Sequence, residues 1–113
     1  MAHTYTPRRC SKRWLDGDCP RDVLAIIDLG PNEPGGRYDV IYADVVRDDR
    51  DAWLGGIILS EAGVSHGHFE LKAHEVAAYR YRMKHRYTTW TSLPEAVKKA
   101  VRDDIAYLAE VSA

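Results

Sequence analysis

No stretch of this 113-residue sequence approaches the roughly 20 consecutive apolar residues of a membrane span, so no spanning helix is expected. Met1 to Arg13 is polar and basic with no apolar core, which is unlike a secretory signal. A soluble, cytoplasmic protein is the expectation. There are only two cysteines, Cys10 and Cys19, flanking Lys12-Arg13 and a turn-like Asp16-Gly17-Asp18. In a reducing compartment thiols are favoured over a disulfide between them. Their spacing lacks the tight C-x-x-C of zinc knuckles, so a structural zinc is disfavoured. No G-x-S-x-G, P-loop or G-x-G-x-x-G occurs, and no cofactor is expected. Charge of one sign is also missing. The formal net charge is −1, so any electrostatic binding must come from a local patch.

What is present is ordinary globular material. An apolar share of 45% is too high for a disordered chain, and the length suits one domain with one modest core. Residues 1–21 read as a basic arm carrying Arg8, Arg9, Lys12, Arg13 and Arg21, with Trp14-Leu15 as its anchor on a single domain over 22–113. Residues 22–29 are a β-branched apolar run stopped by Gly30-Pro31, which predicts a buried strand. The loop Gly30 to Gly36 is turn chemistry. Residues 37–46 predict a second strand with Tyr38, Val40 and Tyr42 on one face. After the charged turn Arg47–Asp51, residues 52–59 predict a third. Gly55-Gly56 inside it mark a bulge or a close approach of backbone or ligand.

Residues 60–71 read as a loop or short strand. Residues 72–84 fit either a helix or a strand. Alanine content, with Glu75 early and Arg82 and Lys84 late, favours the helix, with Val76, Tyr79 and Met83 on its apolar stripe. A short strand through Tyr87 to Trp90 follows. Ser92-Leu-Pro-Glu95 matches a capping box, and Val97, Val101, Ile105 and Leu108 then recur at helical spacing. The fold class expected is α+β, a small antiparallel sheet of about three to four strands followed by C-terminal helices.

Four groups of residues could carry chemistry. Tyr79-Arg80-Tyr81-Arg82-Met83-Lys84-His85-Arg86-Tyr87, with Trp90 beyond, interleaves cations with flat rings. Phosphates select the first and bases stack on the second. Arg37, beside the glycine-rich loop, could hold an anion with exposed backbone N–H groups. The basic arm could track phosphates. In an extended segment His66, His68 and Glu70 would face one way, the donor set of a metal site. The competing readings are core-packed aromatics with solvated cations for the first group, an edge-strand charge that discourages aggregation for Arg37, a solvated tail for the arm and a polar loop for the histidines, and no metal is expected.

The order of several short signals resembles a family of small uncharacterised phage-encoded proteins. Gly36-Arg37-Tyr38-Asp39-Val40 is similar to its D-R-Y-T-V strand, with Gly36 in place of Asp and Asp39 in place of Thr. Leu54–Ser60, His66-Gly-His68-Phe-Glu70 and Arg86 to Val97 with its L-P-x-x-V follow in the family's order. The layout also resembles the Thoeris anti-defence sponges, which are oligomers that sequester nucleotide-type signals without cleaving them. With this resemblance, the cation-aromatic interleaving, the Gly-Gly next to Arg37, the lack of catalytic motifs and the open edges of a small sheet lead to the expectation of a non-enzymatic, homo-oligomeric phage accessory protein that binds a small phosphorylated ligand. Arg37, Arg80, Arg82 and Arg86 would take phosphates, with Tyr79, Tyr81, Tyr87 or Trp90 stacking on a base. The alternatives are a nucleic-acid-binding or regulatory protein, a metal-dependent enzyme on His66, His68 and Glu70, and a protein inhibitor of a host factor.

Overall fold

Alternation of side chains explains how three of the strands arrange themselves. The computed structural model describes residues 13–42 and 52–111. Strand β1 (Val23–Asp28), β2 (Tyr38–Tyr42), β3 (Ala52–Leu59) and β4 (Ser65–Lys72) form one antiparallel meander in the order β1-β2-β3-β4. Helix α1 (Ala73–Met83) follows β4 directly, and α2 (Glu95–Val111) ends the chain. The α+β class and its antiparallel sheet are therefore as expected. The fourth strand occupies what the sequence left between loop and strand. The turn Arg47–Asp51 and Cys10 lie outside the described residues.

Both faces of the sheet are covered. On one, Tyr38, Val40 and Tyr42 of β2 join Ile57 and Leu59 of β3 under Val97 and Val101 of α2, with Trp90 and Leu93 completing the layer. Ile105 and Leu108 pack on its margin, so the predicted stripe of α2 is the buried one. On the other face Ala25, Ile27 and Ile41 pack against Val76 and Tyr79 of α1. A register shift between Val23 and Ala25 puts Leu24 and Ala25 together in this second layer.

Two glycines have structural reasons. A Cβ on Gly56 would collide with the Val40 carbonyl, so this is a close approach of neighbouring backbone. Gly67, at φ 108°, sits in the stretch of β4 that carries an extra residue. Ile57 is opposite His68 and Leu59 opposite Ser65, so between these pairs two residues of β4, His66 and Gly67, stand against one of β3, Ile58.

The segment after α1 returns along β1. Asp28 N–H donates to the Arg86 carbonyl and Thr88 N–H to the Ile26 carbonyl, with Tyr87 opposite Ile27. The expected short strand is thus a single bridge, and it covers the outer edge of β1. Helix α2 starts at Glu95, and Ser92 does not cap it as the sequence box predicted. Its hydroxyl instead donates to the Thr89 carbonyl at 2.8 Å. The capping-box role falls on α1, where Glu75 accepts from the Lys72 N–H.

The described part of the arm is packed onto the domain. Leu15 is buried, and Trp90 N–H donates to the Trp14 carbonyl. Asp16 accepts from the Thr91 N–H and hydroxyl, and Asp18 from Trp90 Nε1 at 2.8 Å. These bonds hold both aspartates below their usual carboxylate range. Among the described residues no helix is long and apolar enough to cross a membrane.

Candidate functional site

The candidate site forms where the β1–β2 loop meets the turn after α1. A cavity of about 520 Å³ is lined there by Asp28, Gly30, Pro31, Arg37, His85, Arg86, Tyr87 and Thr88. A second, of about 310 Å³, is lined by Leu29, Glu33, Arg82, Met83 and Arg86. Arg86 belongs to both. It is placed by the bridge to β1, and one of its guanidinium nitrogens donates to the Leu29 carbonyl at 3.2 Å. Arg82 reaches the second cavity from the last turn of α1, its Cζ lying 5.8 Å from the Tyr79 ring.

Arg37 is at this site but is already engaged. Its Nε and Nη2 donate to the two oxygens of Asp28 at 2.9 and 3.1 Å, and its Nη1 lies 3.3 Å from Glu61. The fork geometry suits a carboxylate and accounts for both shifts. The pair holds Asp28 below the ordinary carboxylate range and Arg37 above its own usual value. An incoming anion would have to compete with two carboxylates for this guanidinium.

The remaining expected residues divide by burial. Trp90 is fully buried and its Nε1 is bonded to Asp18, so its faces are not presented to a ligand. Tyr79 is buried too, donating its hydroxyl to Asp39 Oδ2 at 2.9 Å. Tyr87 is half-buried, lines the larger cavity and stands 6.2 Å from the Trp14 ring. Arg80 and Tyr81 are exposed and line neither cavity. The expected eight-residue set therefore separates into a cleft group (Arg37, Arg82, Arg86, Tyr87), a core pair (Tyr79, Trp90) and an outer helix pair (Arg80, Tyr81).

The alternative arrangement in which His66, His68 and Glu70 converge is not the one formed. The extra residue at Gly67 breaks the strict alternation on which it depended. His66 lies next to Ile58, both within contact of where a Gly36 Cβ would stand. His68 reaches Asp104 of α2 instead, Nε2 to Oδ1 at 2.9 Å, while Asp104 Oδ2 accepts the Tyr42 hydroxyl at 2.7 Å. Among the described residues no group of three His, Cys, Asp or Glu side chains is placed to hold a metal ion.

Sequence reasoning missed His85 as a cleft residue, although it stands inside the basic-aromatic stretch. It also missed Asp39 and Asp104. Nothing in their neighbours along the chain marks them, because their partners are 36 residues or more away. Comparison with family models, with curated proteins and with solved structures finds no match to this chain.

Proposed function

We propose that this protein binds a small phosphorylated ligand, of nucleotide type, in the cleft around Arg86. The observation that carries the reading is Arg86 itself, common to both adjoining cavities and without a carboxylate in ion-pair range among the described residues. Arg82 and His85 stand beside it as further phosphate donors, and Tyr87 offers an aromatic edge. Asp28 and Glu33 restrict the charge the site accepts, which favours one phosphate group over a polyphosphate. Arg37 shapes the cleft through Asp28, while Tyr79 and Trp90 support it from the core.

Binding without turnover is part of the proposal, as is the wider role of a phage accessory protein that sequesters a nucleotide-type signal, which rests on the family resemblance. A homo-oligomer belongs to the same reading. Among the described residues its copies have the outer edge of β4 to pair along, since residues 86–88 occupy that of β1.

Titration calorimetry with inorganic phosphate, AMP and adenosine tests the proposal. AMP should bind, phosphate more weakly and adenosine not at all. Arg86→Gln should lose roughly tenfold or more in AMP affinity, the range for a hydrogen bond to a charged group, and Arg80→Gln should change nothing. AMP recovered unaltered after incubation supports sequestration. No binding of either phosphate compound, or an unchanged Arg86→Gln variant, overturns the reading.

A further inference from the structure

The near-zero net charge conceals a segregated one. Residues 74–86 contain four Arg or Lys against a single carboxylate, Glu75, while the whole chain totals −1. The four are Arg80, Arg82, Lys84 and Arg86, and all are exposed. Among the described residues none of them has a carboxylate partner. Four other described cations are paired. Arg37 is paired with Asp28, Lys98 with Glu95, Lys99 with Asp103 and Arg102 with Asp18. The α1 segment is thus left electropositive, whereas these four cations are neutralised locally.

The geometry of the helix adds a second feature. Val76, Tyr79 and Met83 turn inward to the sheet. Tyr81 therefore points away from it, and it is 70% exposed, the most exposed of the large apolar side chains described. Ala77 and Ala78, one turn earlier, are exposed and short, so nothing bulky screens the ring from that side. Lys84 lies over the ring, Nζ 4.1 Å from its centre, and Arg80 is one turn before Lys84 on the same flank. Arg82 stands on the opposite flank.

We propose that this outer face of α1 is a docking surface for single-stranded nucleic acid, with Tyr81 stacking on an unpaired base and Arg80, Lys84 and Arg82 contacting successive phosphates. Two properties select this partner over other anions. An unpaired base has a flat face that gains from an exposed aromatic ring, and its phosphates recur at a spacing that flanking cations can follow. An acidic peptide would use the cations and leave Tyr81 without a flat face to stack on, and an anionic membrane would take the ring at headgroup level without stacking on it. A duplex hides its base faces and would do the same. The surface adjoins the cleft at Arg82, which lines the smaller cavity, whereas Arg80 and Tyr81 line neither cavity.

Fluorescence anisotropy with a labelled twelve-residue oligo-dT bearing a 5′-hydroxyl tests this, with the same sequence as a duplex and phosphatidylserine vesicles as competitors. The single strand should bind, with affinity falling in salt by a log–log slope of about −2, at roughly 0.7 per phosphate contact for three contacts. Arg80→Gln and Lys84→Gln should each flatten the slope by about 0.7. Tyr81→Ala should weaken binding roughly fivefold or more, and Tyr81→Phe should restore it. Both Tyr81 variants should bind AMP as the parent does, which separates this surface from the cleft. Absence of binding at 50 mM salt overturns the proposal. So does equal competition by duplex or vesicles, or a Tyr81→Ala variant that binds as the parent does.

Discussion

The Tyr79 hydroxyl donates to the Asp39 carboxylate at 2.9 Å, tying α1 to the second strand of the sheet inside a buried layer. Burial pushes Asp39 above the ordinary carboxylate range, and the tyrosine bond opposes that shift only in part. The same burial, with the neighbouring carboxylate, raises Tyr79. Because the folded pKa of Asp39 lies above its unfolded value, its contribution to stability is fully present below the unfolded pKa and is lost as pH rises through the folded one. Asp39→Asn keeps an acceptor for Tyr79 and removes the titration. Urea unfolding should show the Asn variant gaining on the parent between pH 4 and pH 7. Tyr79→Phe leaves the carboxylate without its donor and should cost about 1–3 kcal/mol at pH 7, and less at pH 4. A Tyr79→Phe cost that does not change with pH would show that Asp39 is neutral in the folded protein throughout this range.

Asp28 gives the opposite pH dependence. The Arg37 fork, helped by the Gly30 N–H, holds Asp28 below its usual range. Its stabilisation is therefore present above the unfolded pKa and lost as pH falls through the folded one. Asp28→Asn should be less stable than the parent at pH 7, and the difference should shrink as pH falls to 2. At the cleft the same change removes a negative charge and leaves Arg37 with Glu61 as its one carboxylate partner among the described residues. Phosphate affinity should rise roughly fivefold, about the effect in watery surroundings of removing one unit charge 4 Å away. Calorimetry with phosphate reads the affinity, and thermal melts at the two pH values read the stability. Unchanged phosphate affinity would place the anion away from Arg37.

Helix α2 is latched to the sheet by Asp104, which accepts from Tyr42 on Oδ2 and meets His68 Nε2 with both oxygens. Its side chain is 11% exposed, whereas that of His68 is 47% exposed. Burial and the carboxylate together raise Tyr42 far above its ordinary value, so the phenol remains a donor at any working pH. Asp104→Ala should cost about 1–3 kcal/mol, because it leaves the Tyr42 hydroxyl buried without an acceptor. Asp104→Asn should recover most of that loss. His68→Ala removes only the exposed half and should cost under about 1 kcal/mol. Chemical denaturation of the three variants and the Asp104→Ala/Tyr42→Phe double mutant measures the coupling directly.

These latches show what local sequence reasoning can and cannot reach. Alternation placed Tyr38, Val40 and Tyr42 on one face, and helical spacing placed Val97 and Val101 inward, because both depend only on neighbours a few residues apart. The metal reading of His66, His68 and Glu70 used the same alternation and failed at one inserted residue, Gly67, whose effect is set by pairing with β3. The cleft failed to be legible in a different way. Arg37 and Arg86 look alike in sequence, yet one is held by Asp28 and Glu61 and the other is not. Partner choice of that kind is decided by tertiary packing. Trp90 looked like a stacking platform only because its partner Asp18 is 72 residues away.

That partnership supplies a test of whether aromatic rings near the basic stretch bind ligand or build the core. Trp90 is fully buried in the layer under α2, with Arg102 Cζ 5.5 Å from its ring. Trp90→Ala should cost about 3–5 kcal/mol, the range for emptying a large aromatic site. Trp90→Phe keeps part of the volume and loses the bond to Asp18, so it should fall between the parent and the Ala variant. Neither change touches a group that lines the cleft or the outer face of α1. AMP and oligo-dT affinities of folded Trp90→Phe should therefore match the parent within about twofold. Thermal melts separate the stability effect from binding. A folded Trp90→Phe variant that had lost AMP binding would return Trp90 to the ligand site and require the indole to leave Asp18 when ligand enters.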